Sequence, residues 1–189
     1  GTTPTKLRVD AGLAAAKVNV FLRNLVEQSG GVATVGTIEF EPNAVNVIPS
    51  KAVFTVDLRN PKKEKLDADE KALAEYFKEL EETDKVKIIT ERMTEFDPVP
   101  FDEGIVEKVE KAAKAHGLSV RRITSGAGQD AQMIARICPT AMIFVPSVKG
   151  ISHNPEEYTK DEDVLAGAGV FLDVVMDMAV VGVPAARNN

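Results

Sequence analysis

Cysteine is almost missing from this chain of 189 residues. The single copy, Cys138, rules out an intrachain disulfide and fits a reducing compartment. Beside an apolar run, a free cysteine of this kind is expected in the core. Histidine is nearly as scarce, with two copies, His116 and His153. No basic cluster offsets the acidic balance: the net charge is −6 and the pI is near 5.1. That argues against a nucleic-acid or anionic-membrane partner. No apolar run approaches the ~20 residues needed to span a bilayer, and no signal-peptide pattern opens the chain, so it reads as cytoplasmic. Phosphate-loop, nucleophile-elbow, paired-cysteine zinc and EF-hand spacings are all lacking, as are internal repeats and low-complexity runs.

What is present is enough apolar residue, 44%, for a packed core in one large or two small domains. Gly1 to Val9 is polar and expected to be extended. Asp10 is placed to cap a helix in which Ala14, Val18, Phe21, Leu22 and Leu25 share a face and Gly30-Gly31 is the stop. Val32 to Phe40 reads as a strand, Glu41 to Ala44 as a turn, and Val45 to Arg59 as extended structure broken near Pro49-Ser50. By the twofold period of a strand, Ala52, Phe54, Val56 and Leu58 line one face, and Thr55, Asp57 and Arg59 the other. The charged stretch Pro61 to Lys71 is expected to be a loop and a solvated helix start. Leu66, Leu73, Tyr76, Phe77 and Leu80 form the stripe of a second helix, and Val86 to Phe96 a further strand. This order is one strand short of the split plan β-α-β-β-α-β. Either Thr2 to Arg8 supplies that strand, or it lies upstream of Gly1.

Asp97-Pro98-Val99-Pro100 disfavours both helix and central strand and marks a domain boundary. Asp102 is then expected to cap a helix with Ile105, Val109, Ala112 and Ala113 inward, ending in a solvated His116 beside Gly117. Ser119 to Ile123 is a short β-branched run. It leads into Ser125-Gly126-Ala127-Gly128, a strand-to-helix turn whose backbone N–H groups suit an anionic or carbonyl group. Ala141 to Val145 reads as a buried strand, followed by the loop Pro146 to Pro155 that carries His153. Ligands of open α/β sheets gather at loops leaving the carboxyl ends of strands, and both polar loops do so here. By residue type alone the glycines also fit positive φ, and His153 also fits a hydrogen-bonded structural role. Thr159 or Asp161 begins the last helix, Val164 to Val181 is apolar on most faces, and Pro184 to Asn189 is expected to fray.

Three ordered motifs, GTTPTKLRVDAGLAAA, NVIPSKAVFTVDLRNP and SGAGQDAQ…MIFVPS…GISHNPEEY, resemble those of the hydantoinase/carbamoylase family of metal-dependent amidohydrolases. That family is similar to the wider aminoacylase and dipeptidase group. The resemblance implies an α/β (α+β) fold. Residues 1–97 would be a ferredoxin-like split βαβ lid or dimerisation domain, its first strand upstream of Gly1. Residues 98–189 would be the C-terminal part of a zinc-peptidase-like catalytic domain. It also implies a homodimer, a small-molecule carboxylate substrate such as an N-carbamoyl or ureido acid, and one or two divalent ions (Zn, Mn, Co or Ni). Hydrolysing an unactivated amide at neutral pH needs the activated water and polarised carbonyl that such ions provide.

Residue by residue, the resemblance assigns Asn46 and Arg59 to substrate binding and Gly128 to close backbone approach. It makes His153 a metal ligand, with Glu157 as its neighbouring support. Gln129 stands where the family commonly carries histidine; it retains a hydrogen-bond donor for a carbonyl or oxyanion but no titrating charge. The other ligands and the general base are expected in an N-terminal half of the catalytic domain that these residues lack, which would leave the chain inactive alone and its metal site incomplete. The rival expectations are a dipeptidase or aminoacylase relative, or a stand-alone, non-catalytic dimerisation or binding module.

Overall fold

The computed structural model describes residues 1–181. By its internal contacts the chain divides into two compact units, Gly1–Pro98 and Val99–Asn189.

The first unit is built on a helix, a β-ribbon and a second helix. Helix α1, Ala11–Ser29, begins where the Asp10 carboxylate accepts from the Leu13 N–H at 3.0 Å and ends at Gly30, whose φ of 81° is the left-handed conformation glycine adopts without a Cβ penalty. The ribbon contains β1 (Val32–Thr34), β2 (Ile38–Glu41), β3 (Lys51–Phe54) and β4 (Asp57–Arg59). β2 pairs antiparallel with β3, Ile38 opposite Phe54, and β1 with β4, Val32 opposite Arg59. Each long extended run anticipated from the sequence is thus two short strands, and residues 42–50 connect them as turns and bends. At the joint, Thr37 and Thr55 hold the two halves in register: the Thr55 N–H donates to the Thr37 carbonyl at 3.2 Å and their hydroxyls meet at 3.1 Å.

Helix α2, Lys63–Thr83, returns along α1, and Lys17 of α1 donates to both carboxylate oxygens of Asp84 at the α2 C-cap, each at 2.7 Å. The core lies between helices and ribbon. Val18, Leu22 and Leu80 are its buried centre, and Ala33, Val35, Phe54, Val56, Leu73 and Phe77 pack around them. Phe21 and Tyr76 stack with ring centroids 4.1 Å apart.

The charged stretch Pro61 to Lys71 is the short loop and helix start expected, the helix beginning already at Lys63. Several expectations change elsewhere in this unit. Thr5–Leu7 is a single 3-10 turn, so no first strand forms within Gly1 to Val9. Val86 to Phe96 is not a strand, although Val86 and Ile88 keep the twofold alternation and rest against the core. A strand is defined by its ladder, and in the split plan the last strand lies beside the first, so among the described residues this segment has no strand to pair with.

The second unit contains α3 (Glu103–Ala115), the short α4 (Asp130–Ile134) and α5 (Asp161–Val181). Asp102 caps α3, accepting from the Ile105 N–H at 2.9 Å. His116 is exposed, as expected, and also brings Nε2 within 2.7 Å of Asp173 Oδ2 on α5, while Lys108 pairs with Asp177 on the same helix. Ser119 to Ile123 and Ala141 to Val145 form no strand, and Phe144 and Val145 are exposed. Their composition suits a sheet interior, but among the described residues of this unit no strand lies beside them to accept their backbone groups. Cys138 is exposed rather than buried, for the same reason that Ala141 to Val145 closes no sheet over it. On α5, Val170 and Val174 are buried, while Leu165, Phe171, Leu172 and Met176 face outward. The expected fraying of Pro184 to Asn189 falls outside the described residues. No described helix is long and apolar enough to cross a membrane.

The core sets a stability expectation. Leu22 is 1% exposed, so Leu22→Ala should lower the unfolding free energy by about 3 kcal/mol through lost transfer energy and a residual cavity. Leu13→Ala, on the exposed side of the same helix, should cost under ~0.5 kcal/mol beyond propensity. Urea titration of the two variants against the parent chain measures the contrast.

Candidate functional site

In the first unit one candidate, Arg59, stands on the outer face of the ribbon, and the other, Asn46, in a connection between its strands. Burial alternates without interruption from Lys51 to Arg59, with Ala52, Phe54, Val56 and Leu58 half-buried and Thr55, Asp57 and Arg59 exposed. The sequence reading of that face is therefore met. Arg59 is the last residue of β4. Its Nε donates to Asp57 Oδ1 at 2.8 Å and its Nη2 to Asp57 Oδ2, a bidentate fork between residues two apart on one pleat. The bond holds the Asp57 carboxyl below its ordinary range and raises the Arg59 guanidinium; partial burial opposes both shifts. The arginine thus already grips a carboxylate.

Immediately beneath it, the chain turns into the interior through a buried polar knot that sequence reasoning did not find. Asp69 is 3% exposed and Asn60 5%. Asp69 Oδ2 accepts from Ser29 Oγ at 2.8 Å and from Asn60 Nδ2 at 3.2 Å, tying the end of α1 and the end of β4 to α2. Asn60 Oδ1 in turn accepts from the Lys62 N–H at 3.2 Å, and Lys65 Nζ donates to the Ser29 carbonyl at 2.6 Å. Gly31 is required here by space, since a Cβ would stand 2.6 Å from the Arg59 carbonyl oxygen. The signal was present: Asp69 lies three residues after Leu66 and four before Leu73, a carboxylate on the apolar stripe of α2.

Asn46 lies in the connection between β2 and β3 and is exposed. The amino-terminal residues pack directly on its main chain, for a Cβ at Gly1 would be 2.4 Å from the Asn46 carbonyl oxygen. Arg8 ties the same segment down, donating to the carbonyls of Thr3 and Gly1 at 2.8 and 2.9 Å.

In the second unit, Gly126 and Gly128 occupy an irregular turn. Neither has positive φ, and among the described residues a Cβ on Gly128 would meet nothing nearer than Gln132 Oε1, at 3.7 Å. The positive-φ reading of these glycines is therefore set aside. Gln129 is the N-cap residue of α4, and its N–H donates to Gln132 Oε1 at 3.3 Å. In the loop after Ala141 to Val145, three residues take left-handed backbone: Lys149 at φ 60°, Gly150 at 70° and His153 at 56°. For the two non-glycine residues this is a strained conformation that the surroundings must impose. Glu157 supplies part of that restraint. Its Oε2 accepts from the His153 backbone N–H at 2.8 Å, so it meets this histidine through the main chain and not the ring. Asn154 closes the turn, its Oδ1 accepting from the Glu156 N–H and its carbonyl from the Glu157 N–H, both at 2.9 Å. The imidazole of His153 is exposed.

Among the described residues no three His, Cys, Asp or Glu side chains converge as a metal site would require. The donors present therefore do not fit a complete site for the divalent ions expected from the sequence.

Comparison with known proteins shows the family. Residues 7–177 match the profile of the Peptidase family M20/M25/M40. The chain belongs to that family. Among its M20/M25/M40 relatives are an N-carbamoyl-L-amino-acid amidohydrolase of Rhizobium meliloti, 40% identical over 181 residues, and an allantoate amidohydrolase of Bacillus subtilis, 32% identical over 181 residues. Each match takes in 95% of this chain and 44% of the relative. A crystal structure of a hydantoinase/carbamoylase-family amidase from Burkholderia multivorans superposes with a TM-score of 0.90 at 38% identity, again over 95% of this chain and 44% of the other. The chain thus spans under half the length of these relatives, and its mixed α/β fold is that of the corresponding part of the M20/M25/M40 structures.

The buried knot generates a prediction specific to this unit. Asp69→Ala removes the acceptor of the Ser29 hydroxyl and the nearer acceptor of the buried Asn60 amide, so unfolding free energy should fall by about 1–3 kcal/mol. Chemical denaturation followed by circular dichroism measures the loss.

Proposed function

We propose that this chain is the lid and C-terminal catalytic portion of a metal-dependent amidohydrolase that cleaves a C–N bond of an N-carbamoyl amino acid or ureido acid. The observation that carries the substrate class is Arg59, a guanidinium on the outer face of the ribbon with its fork already closed on a carboxylate. The activities for which the relatives are named, on N-carbamoyl-L-amino acids and on allantoate, point the same way.

In this reading Arg59 binds the substrate carboxylate by paired hydrogen bonds, and the Asn46 amide adds a neutral contact that fixes its orientation. Gly128 admits the substrate close to the main chain, which accounts for a glycine that neither backbone angle nor internal packing demands. The Gln129 amide donates to the carbonyl of the scissile group; lacking a titrating proton, it stabilises charge without moving one. His153 offers one imidazole to a divalent ion, of whichever metal, and Glu157 holds the backbone that aims it. The ion would polarise the scissile carbonyl and acidify water, and its remaining ligands would come from outside these 189 residues. The chain by itself would then be inactive, and the assembled enzyme a homodimer working in the cytoplasm.

The full-length enzyme should hydrolyse N-carbamoyl-L-amino acids, lose that activity to a chelator and regain it with Zn, Mn, Co or Ni. Faster cleavage of dipeptides or N-acyl amino acids would instead establish the dipeptidase or aminoacylase reading. Binding without hydrolysis of any of these would leave the stand-alone module. Arg59→Ala should raise KM for carboxylate-bearing substrates about ten- to a hundredfold, the worth of charge-assisted hydrogen bonds, with a smaller effect on kcat. An unchanged KM in steady-state assays would remove the assignment.

A further inference from the structure

Asp57 has no part in the roles described so far, yet it is the group that closes on the arginine. It lies on the pleat two residues before Arg59, and both of its carboxylate oxygens accept from the same guanidinium. Both side chains are about half exposed, at 49% and 48%, so each has room to move. Across the ribbon Asp57 faces Thr34 and Arg59 faces Val32, neither of them charged. Among the described residues, the charged partner of Asp57 is Arg59 alone.

Resting on the reading that Arg59 receives the substrate carboxylate, we propose that Asp57 is a specificity-determining residue, an internal carboxylate that occupies the Arg59 fork and yields it only to a ligand that displaces it. Two carboxylates cannot both take the same bidentate edge of one guanidinium. A bare small anion offers that edge no more than Asp57 does, and it also loses translational freedom on binding, so it is excluded. A substrate that brings further contacts through the rest of its structure exchanges with Asp57 and is admitted. Asp57 thereby turns a general anion receptor into one selective for carboxylates joined to a larger recognised body, and substrate affinity is the loss.

The test is kinetic, in the full-length enzyme, with an N-carbamoyl-L-amino acid and with its carboxamide analogue, in which the carboxylate is neutral. Removing the competitor should lower KM for the acid. In Asp57→Asn and Asp57→Ala, KM for the acid should fall about two- to fivefold, the range of an exposed ion pair, with kcat within about twofold. KM for the carboxamide should not move, and inhibition by acetate should strengthen by a similar factor. Asp57→Glu, which restores the charge, should return KM toward the parent value. If Asp57→Asn leaves the KM of the acid unchanged or raises it while Arg59→Ala raises it, Asp57 is no competitor and this proposal falls while the carboxylate site stands. Equal shifts for acid and carboxamide would also overturn it. If Arg59→Ala leaves the KM of the acid unchanged, the carboxylate site itself is refuted.

Discussion

The pleat of one nine-residue stretch, Lys51 to Arg59, governs what the first unit is able to do. Its odd and even positions must face opposite ways, and the even ones, Ala52, Phe54, Val56 and Leu58, are held against the core centred on Val18, Leu22 and Leu80. A one-residue slip would bring Asp57 and Arg59 to that apolar surface and carry Leu58 into water. Desolvating the two charges there would cost far more than their pairing returns. The hydrophobic face therefore sets the chemistry of the opposite one. Because register is specified by burial, the guanidinium is displayed outward by the pleat itself, and the bond to Asp57 on the same face adds to that placement.

Register alone does not fix where β4 ends, and there a different force takes over. Directly after Arg59 the chain goes inward at Asn60, and the Asp69 carboxylate, nearly closed to water, gathers Ser29 and Asn60 to itself. A buried carboxylate is costly unless its oxygens are satisfied, and here no buried side-chain polar atom among the described residues lacks a partner. The knot joins three elements distant in sequence, the ends of α1 and β4 and the first turns of α2. Gly31 lets the strand start close enough to the Arg59 carbonyl for it to form. The position of the arginine is thus bounded by apolar packing on one side and by a saturated polar cluster at its end.

Local signals were the legible ones. The Asp10 and Asp102 caps, the Gly30 stop, the stripes of α1 and α2 and the alternation from Ala52 to Arg59 all depend on neighbours within a few residues, and each appears in the structure. What failed depended on partners far away. Val86 to Phe96 and Ala141 to Val145 have strand composition, but composition supplies no second strand, and among the described residues neither has a ladder. Cys138 was placed in a core that such a strand would have helped to close. His116 is solvated as expected, but its contact with Asp173, fifty-seven positions later in the chain, was not legible. The candidate site divides the same way: Arg59 and its face followed from the period of two, whereas Asp69 needed the observation that an apolar stripe contains one carboxylate.

The loop residues of the second unit stand out in the sequence by type, and the described residues do not by themselves explain each of them. Gly128 is neither at positive φ nor pressed by a neighbour, so the chain's own packing does not explain the absence of a side chain there. His153 is held at φ 56° in a turn that Glu157 and Asn154 close through the main chain, and yet its ring projects into solvent. Backbone strain of this kind costs about 1–3 kcal/mol, and it persists where the surroundings over-determine the conformation. Here the hydrogen bonds that impose it orient an imidazole toward nothing in its own turn. The restraint on His153 is met inside its own turn, by Glu157 and Asn154, while the ring is left exposed, and the ligand-binding role proposed for this loop draws on that exposure.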